Sequence, residues 1–450
     1  MKNISVTVIG AGLAGSEAAW QLAQRDIHVE LYEMRPLRET GAHISGNFAE
    51  LICSNSLGSN LYDRSSGLLK NEIRLLKSKL MEVADKTAIP AGGALAVDRE
   101  LFSAKVTYEL ENHPNIKIIR EECIEIPDGP VIIASGPLTS AKLTAKIIEL
   151  TNTENLYFFD AIAPIVQIES INFEIAFRAS RYSDEDAEGD YINCPMDKDQ
   201  YITFISELTK AKRIQLKSFE KQIETGVNAG DPLFFEGCLP VEILASRGEM
   251  AMAFGPLRPV GLKDPRSGKR PFAILQLRQD NLAGDLYNLV GFQTNLTFPE
   301  QRRVFRIIPG LENAEFARYG QMHRNTFIAS PKLLKPSMQS NGRQNLFFAG
   351  QITGVEGYVG NIATGLLAGI NLAKYLRHEP LLVLPQETMV GALCHYITHA
   401  NQKDFQPMKA NFGILPPLEM QIKTKRERYK AYADRSMQIM KSFLEKGLVE

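Results

Sequence analysis

Two cysteines stand where a thiol can do chemistry. Cys53 lies in ELICSNSLGSN and Cys238 in FFEGCLPVE, each among small, turn-forming neighbours. Such neighbours expose a side chain and leave backbone N–H groups free to lower a thiol pKa. The other three read differently: Cys123 (REECIEIP) falls in an alternating strand, Cys394 (GALCHYI) on a helix core, and Cys194 (INCPM) is ambiguous. The five are far apart and without CxxC spacing, so neither a disulfide framework nor a zinc site is indicated, and no metal is expected. Isolated thiols of this kind fit a reducing cytosol. On local reading alone each is more often a small buried hydrophobe than a nucleophile, so two reactive cysteines need a reason to converge.

A second pattern does suit a ligand. Gly10, Ala11, Gly12, Leu13, Ala14 and Gly15 form GxGxxG directly after the β-branched run ISVTVI. Gly10 permits the tight turn, Gly12 lets a pyrophosphate approach the backbone, and Gly15 lets helix and strand pack closely. The phosphates then meet the positive end of a helix. Glu33, 18 residues after Gly15, ends a second strand-like run, IHVELY, and is placed to accept from ribose hydroxyls. An acid there favours FAD or NAD over a 2′-phosphorylated cofactor.

These residues need a parallel α/β frame around them. Residues 4–9 and 27–32 read as strands flanking a helix, and 131–136 (VIIASG) as a buried strand returning past the cofactor. Residues 345–373 read as strand, glycine-rich turn and a long small-residue helix. Gly350, Gly354 and Gly357 in that turn suit backbone facing a flavin ring or its phosphates. Two cofactor-type segments near opposite ends of the chain suit one FAD fold interrupted by an insertion. The expected fold is a Rossmann-like FAD-binding domain, 1–160 and 325–450, with an α+β insertion domain at 161–324. Within the insertion, APIVQIES, YITFISE, FAILQLR and LYNLVGFQT read as strands, and 220–232 as a polar surface loop.

The chain resembles the folate- and FAD-dependent uracil-5 tRNA methyltransferases of the TrmFO family, relatives of the larger GidA-type flavoproteins. The likeness is carried by VIGAGLAGSEAAWQLA, FAELICSNSLGSN, KTAIPAGGALAVDRE, FEGCLPVE, KRPFAILQLRQDN, RVFRIIPGLENAEFARYGQMHRNTFI and LFFAGQITGVEGYVG, spread in order over nearly the whole length. The resemblance implies a flavin that carries carbon as well as electrons. NADH or NADPH reduces FAD, methylenetetrahydrofolate supplies a one-carbon unit through it, and C5 of a uridine in the tRNA T-loop receives a methyl group. Uracil C5 is not nucleophilic unaided, so a cysteine must add to C6. By resemblance that cysteine is Cys238, with Cys53 its acid/base partner, although the two roles are interchangeable on this reading. His323 in MHRN is implied to stack on the folate pterin. Arg278 and Asn281 of LRQDN, with Lys269 and Arg270, are candidates for the folate tail or RNA phosphate, which a guanidinium fits equally well. The pattern departs from the family at Gly360 and Asn361, where Glu and Ser are usual.

Bulk properties set the remaining expectations. A formal net charge of −1 neither suggests nor excludes RNA, since phosphate binding needs only a local basic face. Residues 421–435 supply one, with Lys423, Lys425, Arg426, Arg428 and Lys430 close together. No apolar run approaches the ~20 residues that cross a bilayer, so a cytoplasmic enzyme without membrane attachment is expected. The oligomeric state is left open, a monomer included. Two alternatives stand beside the tRNA reading: the same chemistry on a ribosomal RNA uridine, or a flavoprotein subunit or oxidoreductase that transfers no carbon.

Overall fold

The computed structural model describes residues 5–153, 156–181, 189–214, 239–402 and 405–447, with the side chains of 156–160, 323 and 324 left aside. Strand β1 (Ser5–Ile9), helix α1 (Leu13–Ala23) and strand β2 (His28–Tyr32) form the expected unit. They belong to a five-stranded parallel sheet whose order is Leu346–Phe348, Val131–Ile133, β1, β2 and Ile116–Ile119. Ile9 pairs with both Tyr32 and Ile133, so the carboxyl ends of the central strands finish level. In open α/β sheets that edge is where ligands bind.

The helix Tyr358–Leu376 returns across this edge and lies against α1. Its small residues are needed for that contact. A Cβ on Gly365 would sit 2.2 Å from the Ala14 carbonyl oxygen, and one on Gly369 2.8 Å from that of Ala18. Both obstacles are backbone, which cannot rotate aside.

A second sheet is antiparallel and six-stranded, ordered Phe177–Ala179, Tyr191–Met196, Ala273–Gln279, Leu286–Leu289, Ile165–Gln167 and Phe316–Arg318. It has a hydrophobic core of its own, drawn from residues 166–314, whereas the first core is drawn from 6–147 and 327–440. The chain passes between them on two strands, Leu156–Ala161 and Met322–Phe327, paired antiparallel.

Two local expectations are corrected. YITFISE is helix, within Lys198–Lys210, and not strand. Its aromatic and β-branched content suggested a strand, but Tyr201, Phe204, Ile205 and Leu208 are the buried positions, a helical spacing. Asp197 and Gln200 start it with a reciprocal capping box. Cys123 lies beyond the strand Ile116–Ile119, in irregular chain. Glu33 N–H donates to Ile119 O at 3.0 Å, after which β2 turns away and offers no further ladder. The expected loop at 220–232 lies outside the described residues. Among the described residues no helix is long and apolar enough to cross a membrane.

Buried carboxylates tie the helices together. Glu72 accepts from the backbone N–H groups of Met389 (2.7 Å) and Val390 (2.8 Å) and from the Ser436 hydroxyl (2.5 Å). It thus caps the helix Met389–His399 and holds the C-terminal helix Lys425–Glu445 against Ser65–Leu75. Burial raises its pKa to about 7, the hydrogen bonds opposing the rise. A carboxyl whose folded pKa lies above its unfolded value stabilises fully below the unfolded value, and that contribution fades as pH climbs through the folded one. Glu72→Gln should therefore gain stability relative to the unsubstituted chain as pH rises from 5 to 8, by up to about 3 kcal/mol. Paired urea titrations across that range test this; a pH-independent difference would refute it.

Candidate active site

Three glycines at the end of β1 serve three purposes. Gly10 has φ +98°, and a Cβ on it would meet Ala134 O at 2.7 Å. A Cβ on Gly15 would lie 1.7 Å from Gly10 O, so the first turn of the helix can pack this closely on the strand end only with a glycine there. Gly12 has ordinary backbone angles, and a Cβ on it would meet nothing within 4 Å. It would instead project into a cavity lined by Gly10, Gly12, Leu13, Ala14, Glu33 and Gly350. No side chain caps α1 at Gly12, leaving first-turn N–H groups for an anion. The cradle fits a dinucleotide pyrophosphate.

Glu33 stands in this wall, buried and already engaged. Its Oε2 accepts from Ala11 N–H (3.1 Å), and its Oε1 from the backbone N–H (3.1 Å) and Nε (2.9 Å) of Arg35. Arg35 reaches on to Glu50 at 3.0 Å. The acid expected to meet a ribose is thus held in place by a buried Glu33–Arg35–Glu50 chain that the sequence pattern does not announce.

A second cavity adjoins the first, the two sharing Ile52, Pro137, Leu138, Gln351, Tyr358 and Asn361 in their walls. Cys53 and Gly357 line the second. Gly357 has φ +89°, with nothing within 4 Å of a Cβ, so its backbone is open to the cavity. Gly354 lines neither cavity; a Cβ on it would run into the Phe405 ring at 2.6 Å. At the junction Asn361 is buried, and its Oδ1 has no hydrogen-bond partner. That orphan acceptor at the start of Tyr358–Leu376 suits a ligand carrying an N–H or O–H donor.

The loop bearing Cys53 is pinned from several sides. The Tyr358 hydroxyl accepts from the N–H groups of Cys53 (2.8 Å) and Ser54 (3.0 Å). Cys53 Sγ lies 3.8 Å from Ala161 O. Arg99 donates to the carbonyls of Leu51 (2.9 Å) and Ile52 (3.1 Å) and pairs with Asp280 at 2.7 Å. Burial opposes its charge, yet Asp280, Tyr358 and Cys53 keep the guanidinium above its usual range. Arg278 is buried and donates to Asn55 Oδ1 (3.0 Å) and Ser54 Oγ (2.6 Å). Asn55 in turn donates to Val97 O and Gln279 O.

The expected site residues are therefore only partly gathered. Arg278 holds the Cys53 loop and is not presented to solvent. Asn281 shapes the turn after it, receiving the N–H groups of Gly284 and Leu286. Lys269 is exposed on the turn 264–269, which Asp264 N–H closes on Lys269 O, and Arg270 is exposed just after it. His323 pairs with Asp160 in the connecting ladder, its side chain lying among those left aside. Cys238 lies outside the described residues. Cys123 lines the first cavity, where burial pushes its thiol up to about 11; Cys194 and Cys394 are buried and likewise raised. Tyr358 and Arg99 were missed, because contacts across 305 and 181 residues leave no local signal.

A parallel sheet, a glycine-rich first turn and a returning strand and helix meeting it define a dinucleotide-binding protein. Residues 5–380 match the family described as Glucose inhibited division protein A. The structure of Aquifex aeolicus GidA superposes with a TM-score of 0.70, covering 100% of this chain and 77% of that one at 16% identity, which establishes the fold. Closer relatives are named methylenetetrahydrofolate-tRNA-(uracil-5-)-methyltransferase TrmFO. That of Anoxybacillus flavithermus is 55% identical over 98% of this chain and 100% of its own. That of Desulforamulus reducens is 56% identical over 99% of each. The chain belongs to the TrmFO family.

The glycines separate ligand binding from folding. Gly12→Ala should leave the melting temperature of cofactor-free protein unchanged while dinucleotide content on purification falls at least tenfold. Gly15→Ala should lose both. Retained cofactor in Gly12→Ala, read from absorbance per mole of protein, would mean the pyrophosphate lies elsewhere.

Proposed function

We propose that this chain methylates C5 of a uridine in the T-loop of tRNA, using methylenetetrahydrofolate, FAD and NADH or NADPH. The observation that carries the reading is the Cys53-lined cavity opening from the dinucleotide cradle, in a chain more than half identical to proteins bearing that name. An FAD would lie with its ADP half at Gly10, Gly12, Leu13, Ala14 and Glu33, and with its ring toward Gly357, Tyr358 and Asn361. When bound it supplies the electrons and the one-carbon relay, and every other step falls to side chains.

Cys238 adds through Sγ to C6 of the uracil, which moves electron density to C5 and makes that carbon nucleophilic. After C5 has taken the one-carbon unit, Cys53 removes the C5 proton and the bond from C6 to Cys238 breaks. Tyr358, Arg99 and Arg278 act by holding the Cys53 loop still. The uridine must leave the base stack to enter this cavity. Exposed Lys423, Lys425, Arg426 and Lys430, at the start of Lys425–Glu445, would meet RNA phosphates, making binding salt-dependent. His323 would stack on the folate. The two hydrophobic cores support the division into 1–160 with 325–450 and an insertion at 161–324. A cytoplasmic location follows from the RNA substrate and the free thiols this chemistry needs.

Labelled methylenetetrahydrofolate offered with unmodified tRNA and rRNA transcripts tests the substrate: label should enter tRNA, and label in rRNA alone would overturn that choice. Cys238→Ala should abolish methylation, and Cys53→Ala should slow it ~10²-fold or more. Unchanged rates in both would end the thiol mechanism.

A further inference from the structure

Three rings on the antiparallel-sheet side form a continuous stack that the steps above do not use. Phe298 lies 4.8 Å from Tyr319 with 16° between planes, and Tyr319 lies 5.3 Å from Phe316 at 15°. The inner end is anchored, since Phe316 meets Phe305, which packs on Phe292 in the core. The outer end is not buried: Phe298 is 40% exposed. Arg302 donates to the Tyr319 hydroxyl from Nη2 (2.7 Å) and Nε (3.2 Å) and lies over that ring.

The stack is tied to the wall of the second cavity through Gly320. Gln301, beside Arg302 on the helix Phe298–Phe305, clamps Gly320 from both directions: its Nε2 donates to Gly320 O (2.8 Å) and its Oε1 accepts from Gly320 N–H (2.7 Å). The helix and the Tyr319 segment are thereby locked together. Gly320 backs onto Ile162 and Thr294, and both Ile162 and Gln293 line the cavity beside Cys53. Arg318 donates to Ala42 O, another wall residue.

The surroundings are cationic. Thr297 N–H donates to Lys212 O, and Arg213 bridges to Leu296, which brings exposed Lys212 and Arg213 alongside Phe298. Glu207 and Glu300 both pair with Arg303, so four cations (Arg303, Lys212, Arg213 and Arg302) stand against two carboxylates, a balance of two positive charges. One exposed ring is too small for the core of a protein interface, which buries about 800 Å² on each side. A ring flanked by cations is what a π-faced, anionic chain requires.

We propose that Phe298 is a stacking platform for an unpaired base of the RNA substrate. Lys212, Arg213 and Arg302 hold the phosphates beside it, so that the strand is gripped at the rim of the cavity that receives the uridine. The proposal rests on the tRNA reading above and adds the surface that grips the strand.

The test uses full-length protein with its flavin and an unmodified tRNA transcript in filter binding at several salt concentrations. Phe298→Ala should raise Kd about tenfold, and Phe298→Trp should keep it near the original value. Lys212→Ala should lower the slope of log Kd against log salt by about one. Melting temperature and flavin absorbance, unchanged in all three, show that the fold is intact. If the unsubstituted protein binds tRNA and Phe298→Ala binds it equally well, the platform alone is overturned, and the ring belongs to a protein partner or to none. If the unsubstituted protein binds no tRNA, the tRNA reading falls and the platform with it.

Discussion

The structure depends on one steric constraint: at the end of β1 three backbones approach more closely than any Cβ allows. Gly15 sits against Gly10 O, Gly10 against Ala134 O, and Gly365 against Ala14 O. Segments 134 and 365 residues into the chain are thereby drawn onto a turn made by its first fifteen. Because these contacts are backbone to backbone, side-chain adjustment cannot relieve an added methyl, and overpacking here costs at least the ~1–3 kcal/mol typical of a core. The same closeness brings bare N–H groups to the cavity and leaves Gly12 as the open face.

A second constraint joins the two hydrophobic cores. Arg99 and Asp280 form a buried pair across the boundary, and Arg278 beside it grips Ser54 and Asn55. Removing one partner of such a pair strands a buried charge and costs about 3–5 kcal/mol. The cations also finish on the carbonyls and hydroxyl of the loop that carries Cys53. One network therefore sets both the docking of the antiparallel sheet and the placement of the thiol. Just beyond that loop Lys70 ties the short strand Ser56–Ser59 to the helix Ser65–Leu75, its Nζ donating to the carbonyls of Leu57, Gly58, Ser59 and Ser66, with burial lowering its pKa to about 7. Around Cys53 the arginines hold irregular chain, which has no ladder to hold it.

Gly360 and Asn361, where the resemblance implied Glu and Ser, stand in a tight setting. A Cβ on Gly360 would meet Val355 Cγ1 at 2.6 Å, so the turn has closed onto the space a larger residue would need. Asn361 then carries the lone acceptor at the junction of the cavities. The helix start is thus adapted in shape as well as in polarity.

How much was legible in advance follows from how far each signal travels. The βαβ turn, Glu33, the returning strand and the small-residue helix were readable because each is local, and glycine spacing reports backbone conformation directly. YITFISE was misread because β-branched and aromatic content speaks for a strand while the period of its buried positions speaks for a helix, and packing settles which governs. The role of Arg278 was beyond reach, since a guanidinium suits phosphate, folate carboxylate or a buried loop equally until its neighbours are known. Gly350, Gly354 and Gly357 looked alike in sequence, and only the fold separates a cavity wall, a seat for Phe405 and an open turn. The sequence by itself determined the dinucleotide fold and the presence of a turn-borne thiol at Cys53. Tertiary structure alone decided which groups surround that thiol, because Tyr358, Arg99 and Arg278 reach it from distant elements whose packing no local pattern encodes.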